Sequence, residues 1–328
     1  SSSSAASDVY KRQGYSVVNY GLNDGTNLSF NCYLNVVVED HDKNLWIAAE
    51  KGVFKLHKLT GDIERIGNDK LESLNAADIF CTKNGDIWVG GDRGLFRKKK
   101  GEDIFERIDL PSQRLASVSS IIEDDRGDIW VAACEKGLFR YDVEQKKFYA
   151  YIDQVLYLSN VVYQDDKQQI WVGTWDRGLL RLATPYTTGR MQYDRFHRVE
   201  GEENSLFDNI VYDIGQDESH RIWVSTRSGL SIMHDESDFY SFENFLPEEG
   251  IGKLPYNEVS SILRTHDNQM WISMFGGGVC KIQTENKKFG VDRMEAVRSL
   301  YKTISIRNVF YAGDDESVSY THLLAHET

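Results

Sequence analysis

Read for its apolar and polar positions, the chain is a series of short apolar runs broken by Asp- and Gly-rich turns. No helical 3.6-residue period of useful length separates them. The stretch 117–152 displays the unit: "SVSSIIE" (117–123), "DIWVAA" (128–133), "GLFRYD" (137–142) and "KFYAYI" (147–152) are four predicted strands. The second run is apolar throughout, so both of its faces should be buried. The fourth alternates, as "FYAYID" and "DFYSFENF" do, so one face or edge should meet solvent. Short strands joined by tight turns in this order make an antiparallel meander.

The unit recurs. Trp46, Trp88, Trp130, Trp171, Trp223 and Trp271 stand at intervals of 42, 42, 41, 52 and 48 residues. An Asp precedes the indole by six positions at Asp40, Asp124, Asp165 and Asp217, with Thr82 and Thr265 in the other two copies. A glycine follows at Gly52, Gly94, Gly137, Gly178, Gly229 and Gly278. A four-stranded unit repeated every 40–50 residues and buried on both faces in its middle predicts an all-β fold, a β-propeller of four-stranded antiparallel blades. Each indole is then the plug between neighbouring blades. After the sixth unit, "SIRNVFYAGDDE" (305–316) restarts the first-strand pattern, with Asp314 and Asp315 at the turn, and no further Gly-x-Ile-Trp follows. "YSVVNYG" (15–21) reads as a fourth strand with no blade before it. The expectation is a seven-bladed ring over residues 14–316, six blades complete and the last incomplete. Residues 1–13 and 317–328 read as non-native or disordered flanks.

Charge and composition narrow the partners. Thirty-eight Lys and Arg against 51 Asp and Glu leave a net charge of −13, which disfavours nucleic acid and anionic membrane. The basic "RKKKGE" (97–102) reads as a solvated turn. Cys32, Cys81, Cys134 and Cys280 are scattered without CxxC spacing, so buried free thiols are expected rather than a zinc site. No run approaches the ~18–20 apolar residues of a membrane helix.

The sentence D-x-x-G-x-I-W-V-G-T-x-x-G-L-x-R resembles the two-component regulator propeller repeat. It is carried here by "DDRGDIWVAACEKGLFRYD" (124–142), "DDKQQIWVGTWDRGLLRL" (165–182) and "KNGDIWVGGDRGLFRK" (83–98). The copies "HRIWVSTRSGLSIM" and "NQMWISMFGGGVCKI" depart from it locally. The resemblance spans about residues 14–316. It implies the periplasmic sensor region of a hybrid two-component histidine kinase of Bacteroidetes type, which senses oligosaccharides ahead of a membrane span and a kinase. No kinase, receiver or DNA-binding motif occurs in the chain.

In a propeller, the turn from second to third strand and the blade-to-blade loop open on one rim, and a ligand site is expected among the side chains that vary there. Those turns carry Asp92 with Arg93, Glu135 with Lys136, Asp176 with Arg177, and Arg227. Trp175, outside the core register, stands in a turn that requires no bulk, and Phe275 occupies the matching turn two blades on. An aromatic face with charged and amide partners suits a sugar ring, whose C–H surface stacks while its hydroxyls pair. The alternative for Trp175 is a lid folded over the next blade. Tyr157 and Tyr256 join from the blade-to-blade loops, with Asn160, Asn209 and Asn257, for which turn capping is the favoured role. "DHDKN" (40–44) lacks the glycine and glutamate of a calcium loop, and the histidines lack metal-ligand spacing. Catalytic residues, metals and cofactors are therefore expected to be none.

The leading function is a sensor that binds an oligosaccharide or other small molecule at the rim. A homodimer would form through the full-length receptor, and no enzymatic activity is expected in this segment. The alternatives are a propeller lyase or hydrolase and a protein-interaction scaffold; fold alone does not decide among them.

Overall fold

The computed structural model describes residues 9–13, 16–20, 34–67, 71, 73–111, 116–186, 191–236, 239–247, 254–275, 278–283, 288–291, 304–311 and 318–324. The six tryptophan units form six four-stranded antiparallel blades, each in simple sequence order. Their inner strands are Leu34–Glu39, Ala76–Cys81, Val118–Glu123, Ser159–Gln164, Val211–Gln216 and Val259–Arg264. The second strands, such as Ile129–Ala133 and Ile170–Thr174, are buried along their whole length, as their apolar runs dictate. The outer strands, such as Glu106–Ile108, carry the polar edge.

Seven blades with the last incomplete were expected, and the repeat yields six. No seventh tryptophan unit follows Val259–Val291. Instead the two ends pair with each other. Ile304–Tyr311 and Val318–Leu324 form a hairpin, and Val9–Gln13 and Ser16–Tyr20 extend it to a separate four-stranded sheet. An unpaired strand edge exposes a row of N–H and C=O groups, and pairing of the ends satisfies it. Strand Ile304–Tyr311 touches both Val259–Arg264 and Leu34–Glu39, so the circle of inner strands closes.

The indoles fill the seams between blades. Trp46 lies in the core shared with Leu74, Ile79 and Val89 of the second blade, and Trp130 in that shared with Val162 and Val172 of the fourth. Trp171 packs with Val211, Ile214 and Val224 of the fifth. The Asp six residues upstream is more than a turn residue. Its outer oxygen accepts the indole Nε1–H at 2.8 Å in Trp46–Asp40, Trp171–Asp165 and Trp223–Asp217, and at 2.9 Å in Trp130–Asp124. The other oxygen caps the turn, as when Asp124 accepts the N–H of Arg126 and Asp128. Thr82 keeps the cap on the N–H of Asp86.

Every inner strand of the six blades carries a one-residue bulge near its start, and polar side chains there bridge to the next blade. Asn35 Nδ2 donates to the Ala76 carbonyl (2.7 Å), Ser119 Oγ to the Asn160 carbonyl (2.7 Å) and Asn160 Nδ2 to the Val211 carbonyl (2.9 Å). One position on, side chains accept from the next blade: Asp78 from Ile121 N–H (2.6 Å), Ser120 from Val162 N–H (3.2 Å) and Asp213 from Ile262 N–H (2.8 Å). Cys81, Cys134 and Cys280 are free thiols, while Cys32 lies outside the described residues.

Candidate functional site

Backbone hydrogen bonds place the second-to-third-strand turns and the blade entries on one rim. Asp92 N–H donates to the Asn75 carbonyl, Trp175 to Leu158, Arg227 to Ile210 and Phe275 to Glu258, each acceptor lying just before its blade's inner strand. Over blades four to six this rim carries a row of rings. The centroids of Trp175 and Tyr212 are 5.9 Å apart at 58°, and those of Tyr212 and Phe275 are 5.9 Å apart at 83°. Trp175 is 45% exposed and packs on Tyr212 of the next blade.

Tyr212 was not among the expected site residues. It is the bulged residue of the fifth inner strand, where other blades place Asn35, Ala77, Ser119, Asn160 and Ser260. A large ring at a small or polar position is the available signal, visible only once the bulge fixes the alignment. Burial pushes its phenol above the ordinary value, assisted by the carboxylate of Glu258 and opposed by Arg227. Arg227 Nε lies 3.4 Å from Asp208, a buried carboxylate that also accepts the Ser228 hydroxyl at 2.5 Å. Tyr157 and Tyr256 flank the row. Both are exposed, next to Leu158 and close to Glu258, whose carbonyls hold Trp175 and Phe275.

The remaining expected residues stand differently. Asp176 and Arg177 pair with each other at 2.7 Å beside Trp175. Asp92 accepts the Asn75 N–H and is tied into its own turn, with Arg93 exposed next to it. Glu135 occupies a left-handed turn position (φ 60°) preceding Lys136. These two pairs lie in blades two and three, on the same rim but outside the aromatic row. Asn160 and Asn209 serve the scaffold, bridging to Val211 and accepting the Arg198 N–H. Among the described residues, no group of three or more His, Cys, Asp and Glu side chains gathers as a metal site requires, and no helix is long and apolar enough to cross a membrane.

No protein-family model and no curated protein matches the chain. Solved structures share its fold. An extracellular domain of a hybrid two-component system of B. thetaiotaomicron is 20% identical over 94% of this chain and 46% of its own, with a TM-score of 0.57. PorZ, a surface component of the type-IX secretion system of Porphyromonas gingivalis, is 16% identical over 93% of this chain and 48% of its own (TM-score 0.64). A streptogramin B lyase is 11% identical over 97% and 98% (TM-score 0.66). The chain thus spans less than half of the two-component domain it matches. At these identities the likeness establishes the propeller fold, in a set that includes the receptor class the repeat resembles.

Proposed function

We propose that this chain is the ligand-sensing propeller of a two-component regulator and that it takes an oligosaccharide on the rim of blades four to six. The observation that carries the reading is the row Trp175–Tyr212–Phe275. Three rings from three blades, the first half exposed, offer stacking surface for successive sugar faces. Arg227, Asp176, Arg177, Tyr157 and Tyr256 supply polar groups around it. The pairs Asp92–Arg93 and Glu135–Lys136 would extend the surface for a longer chain.

On this reading the protein works outside the cytoplasm, in the periplasm, and its signal leaves through a kinase and a receptor dimer that this segment does not itself contain. The lyase among the solved structures shows that the fold can also carry catalysis, so the decision rests on the site. Here Asp208 is engaged by Ser228 and Arg227, and Asp176 by Arg177, an arrangement suited to holding a ligand. Isothermal titration with a panel of neutral and acidic oligosaccharides tests it. Saturable binding that Tyr212→Ala and Trp175→Ala each weaken is expected; binding indifferent to both, or none across the panel, refutes it.

A further inference from the structure

The opposite end of the propeller, where first strands turn into second strands, holds a cleft of about 160 Å³ between blades four and five. Its lining includes Trp171, Arg181, Asp165 and Lys167 from blade four and Ile222, Met233 and Tyr240 from blade five. The repeat allows a direct comparison with the preceding seam. There the equivalent residues are Trp130, Arg140, Ile170, Asp124 and Arg126, and the space among them is filled by Tyr186. Its ring meets Trp130 edge-on at 4.9 Å and 81°, and the Arg140 guanidinium lies 5.9 Å from its centroid. Burial among these residues pushes its phenol up to about 12, and its hydroxyl has no hydrogen-bond partner among the described residues.

Loop length explains why one seam is filled and the next is open. Tyr186 comes from the ten-residue connection (183–192) between Leu179–Leu182 and Tyr193–Phe196 of blade four. In blade five the corresponding strands, Gly229–Glu236 and Phe239–Phe245, are separated by only two residues, against ten in blade four. The lining is nevertheless retained. Arg181 stacks 5.9 Å over Trp171 and 4.6 Å over Tyr240, and Asp194 holds it at 2.6 Å.

We propose that this cleft is a binding site for a phenol ring, with Tyr186 as the protein's own copy of the ligand one blade earlier. The ring would sit edge-on to Trp171 beside the Arg181 guanidinium, as the Tyr186 ring does with Trp130 and Arg140. The volume agrees, since a cavity of roughly 150 Å³ accommodates a benzene ring. Aromatic and cation–π contacts favour an electron-rich ring. The phenol is either a free small molecule or a tyrosine side chain of a peptide. The site is separate from the sugar-binding rim and does not depend on that reading.

The test is NMR of the whole chain titrated with p-cresol, with toluene and with N-acetyl-tyrosinamide, following the Trp171 indole N–H. A saturable shift is expected with p-cresol, a weaker one with toluene. Tighter binding of the tyrosine amide than of p-cresol identifies a peptide source, and the reverse a free phenol. Tyr240→Ala, at a surface position, should weaken binding roughly threefold to tenfold. Tyr186→Ala should open the preceding seam, so that the Trp130 indole N–H also responds. No saturable shift at Trp171, or a shift unaltered in folded Tyr240→Ala protein, overturns the proposal. So does a folded Tyr186→Ala variant that gains no second site.

Discussion

Two carboxylates hold neighbouring blades together and should make the ring sensitive to pH near neutrality. Asp78 accepts the N–H of Ile79 (2.8 Å) and, across the seam, of Ile121 (2.6 Å); Asp213 does the same with Ile214 (2.9 Å) and Ile262 (2.8 Å). Enclosure among the inner strands raises both from 3.8 to about 7, outweighing these hydrogen bonds, and Asp213 adds a repulsive contribution at Asp78. Because the folded value lies above the unfolded one, the folded state holds its proton more tightly between about pH 4 and pH 7. The stability it contributes is therefore complete below about pH 4 and is lost as pH rises through 7. The gap corresponds to at most about 4 kcal/mol for each carboxylate at 1.36 kcal/mol per pH unit.

Ser120 makes the same bridge to Val162 with a neutral hydroxyl, so charge is not required for the clasp. Asp78→Asn with Asp213→Asn should keep an acceptor at each seam and remove the titration. Thermal unfolding from pH 5 to pH 8.5 is the assay. The unmodified chain should lose on the order of 5–10 °C in Tm across that range, and the double variant should lose much less. The net charge of −13 imposes its own decline on both proteins, so the difference between the two curves is the measured quantity. Parallel curves, or an unmodified chain that gains stability toward pH 8, would refute the reasoning.

Further outcomes can be checked independently. Trp130→Phe removes the indole N–H that Asp124 accepts and leaves a buried carboxylate short of a partner, so denaturant unfolding should show a loss of about 2–4 kcal/mol. Gly173→Ala would place a methyl 2.5 Å from both Val161 and Val211, in the seam where the fourth second strand meets the fifth blade, and should cost about 1–3 kcal/mol by the same measurement. Trp175→Ala, at a half-exposed position, should change stability by less than ~1 kcal/mol while weakening oligosaccharide binding measured by calorimetry.

The scaffold was legible in the sequence because its signals are local. An indole in an apolar run and an Asp six residues before it lie within one hairpin, and a single turn brings them to hydrogen-bond distance. Trp175 was legible for the opposite reason, as a bulky residue that no local rule required. Tyr212 was hidden because its meaning depends on a bulge, which shifts the register by one and decides which side chain faces the next blade. The cleft beside Trp171 was hidden because side chains from two blades line it, and it is recognised only when one seam is compared with the next. The pairing of the two chain ends joins segments about 300 residues apart, and no local pattern announces it.

The bulge also links the site to the stability of the ring. Neighbouring blades share no backbone ladder, and besides the indoles and bridges at the opposite end, such as Asp166 N–H to Gln216, side chains at two successive positions of the inner strand join them. Where the first is polar (Asn35, Ser119, Asn160), it supplies a bridge itself, and the second is an uncharged Val36, Ser120 or Val161. Where the first cannot bridge, the second is an aspartate: Ala77 is followed by Asp78, and Tyr212 by Asp213. The carboxyl oxygen takes the acceptor role at that seam. Enclosing that charge brings the titration near pH 7. In blade five a ring stands between Trp175 and Phe275, and the adjacent Asp213 bridges to blade six. The Tyr212 ring and the Asp213 carboxylate stand at successive positions of one strand, the first on the rim and the second at the seam beneath it.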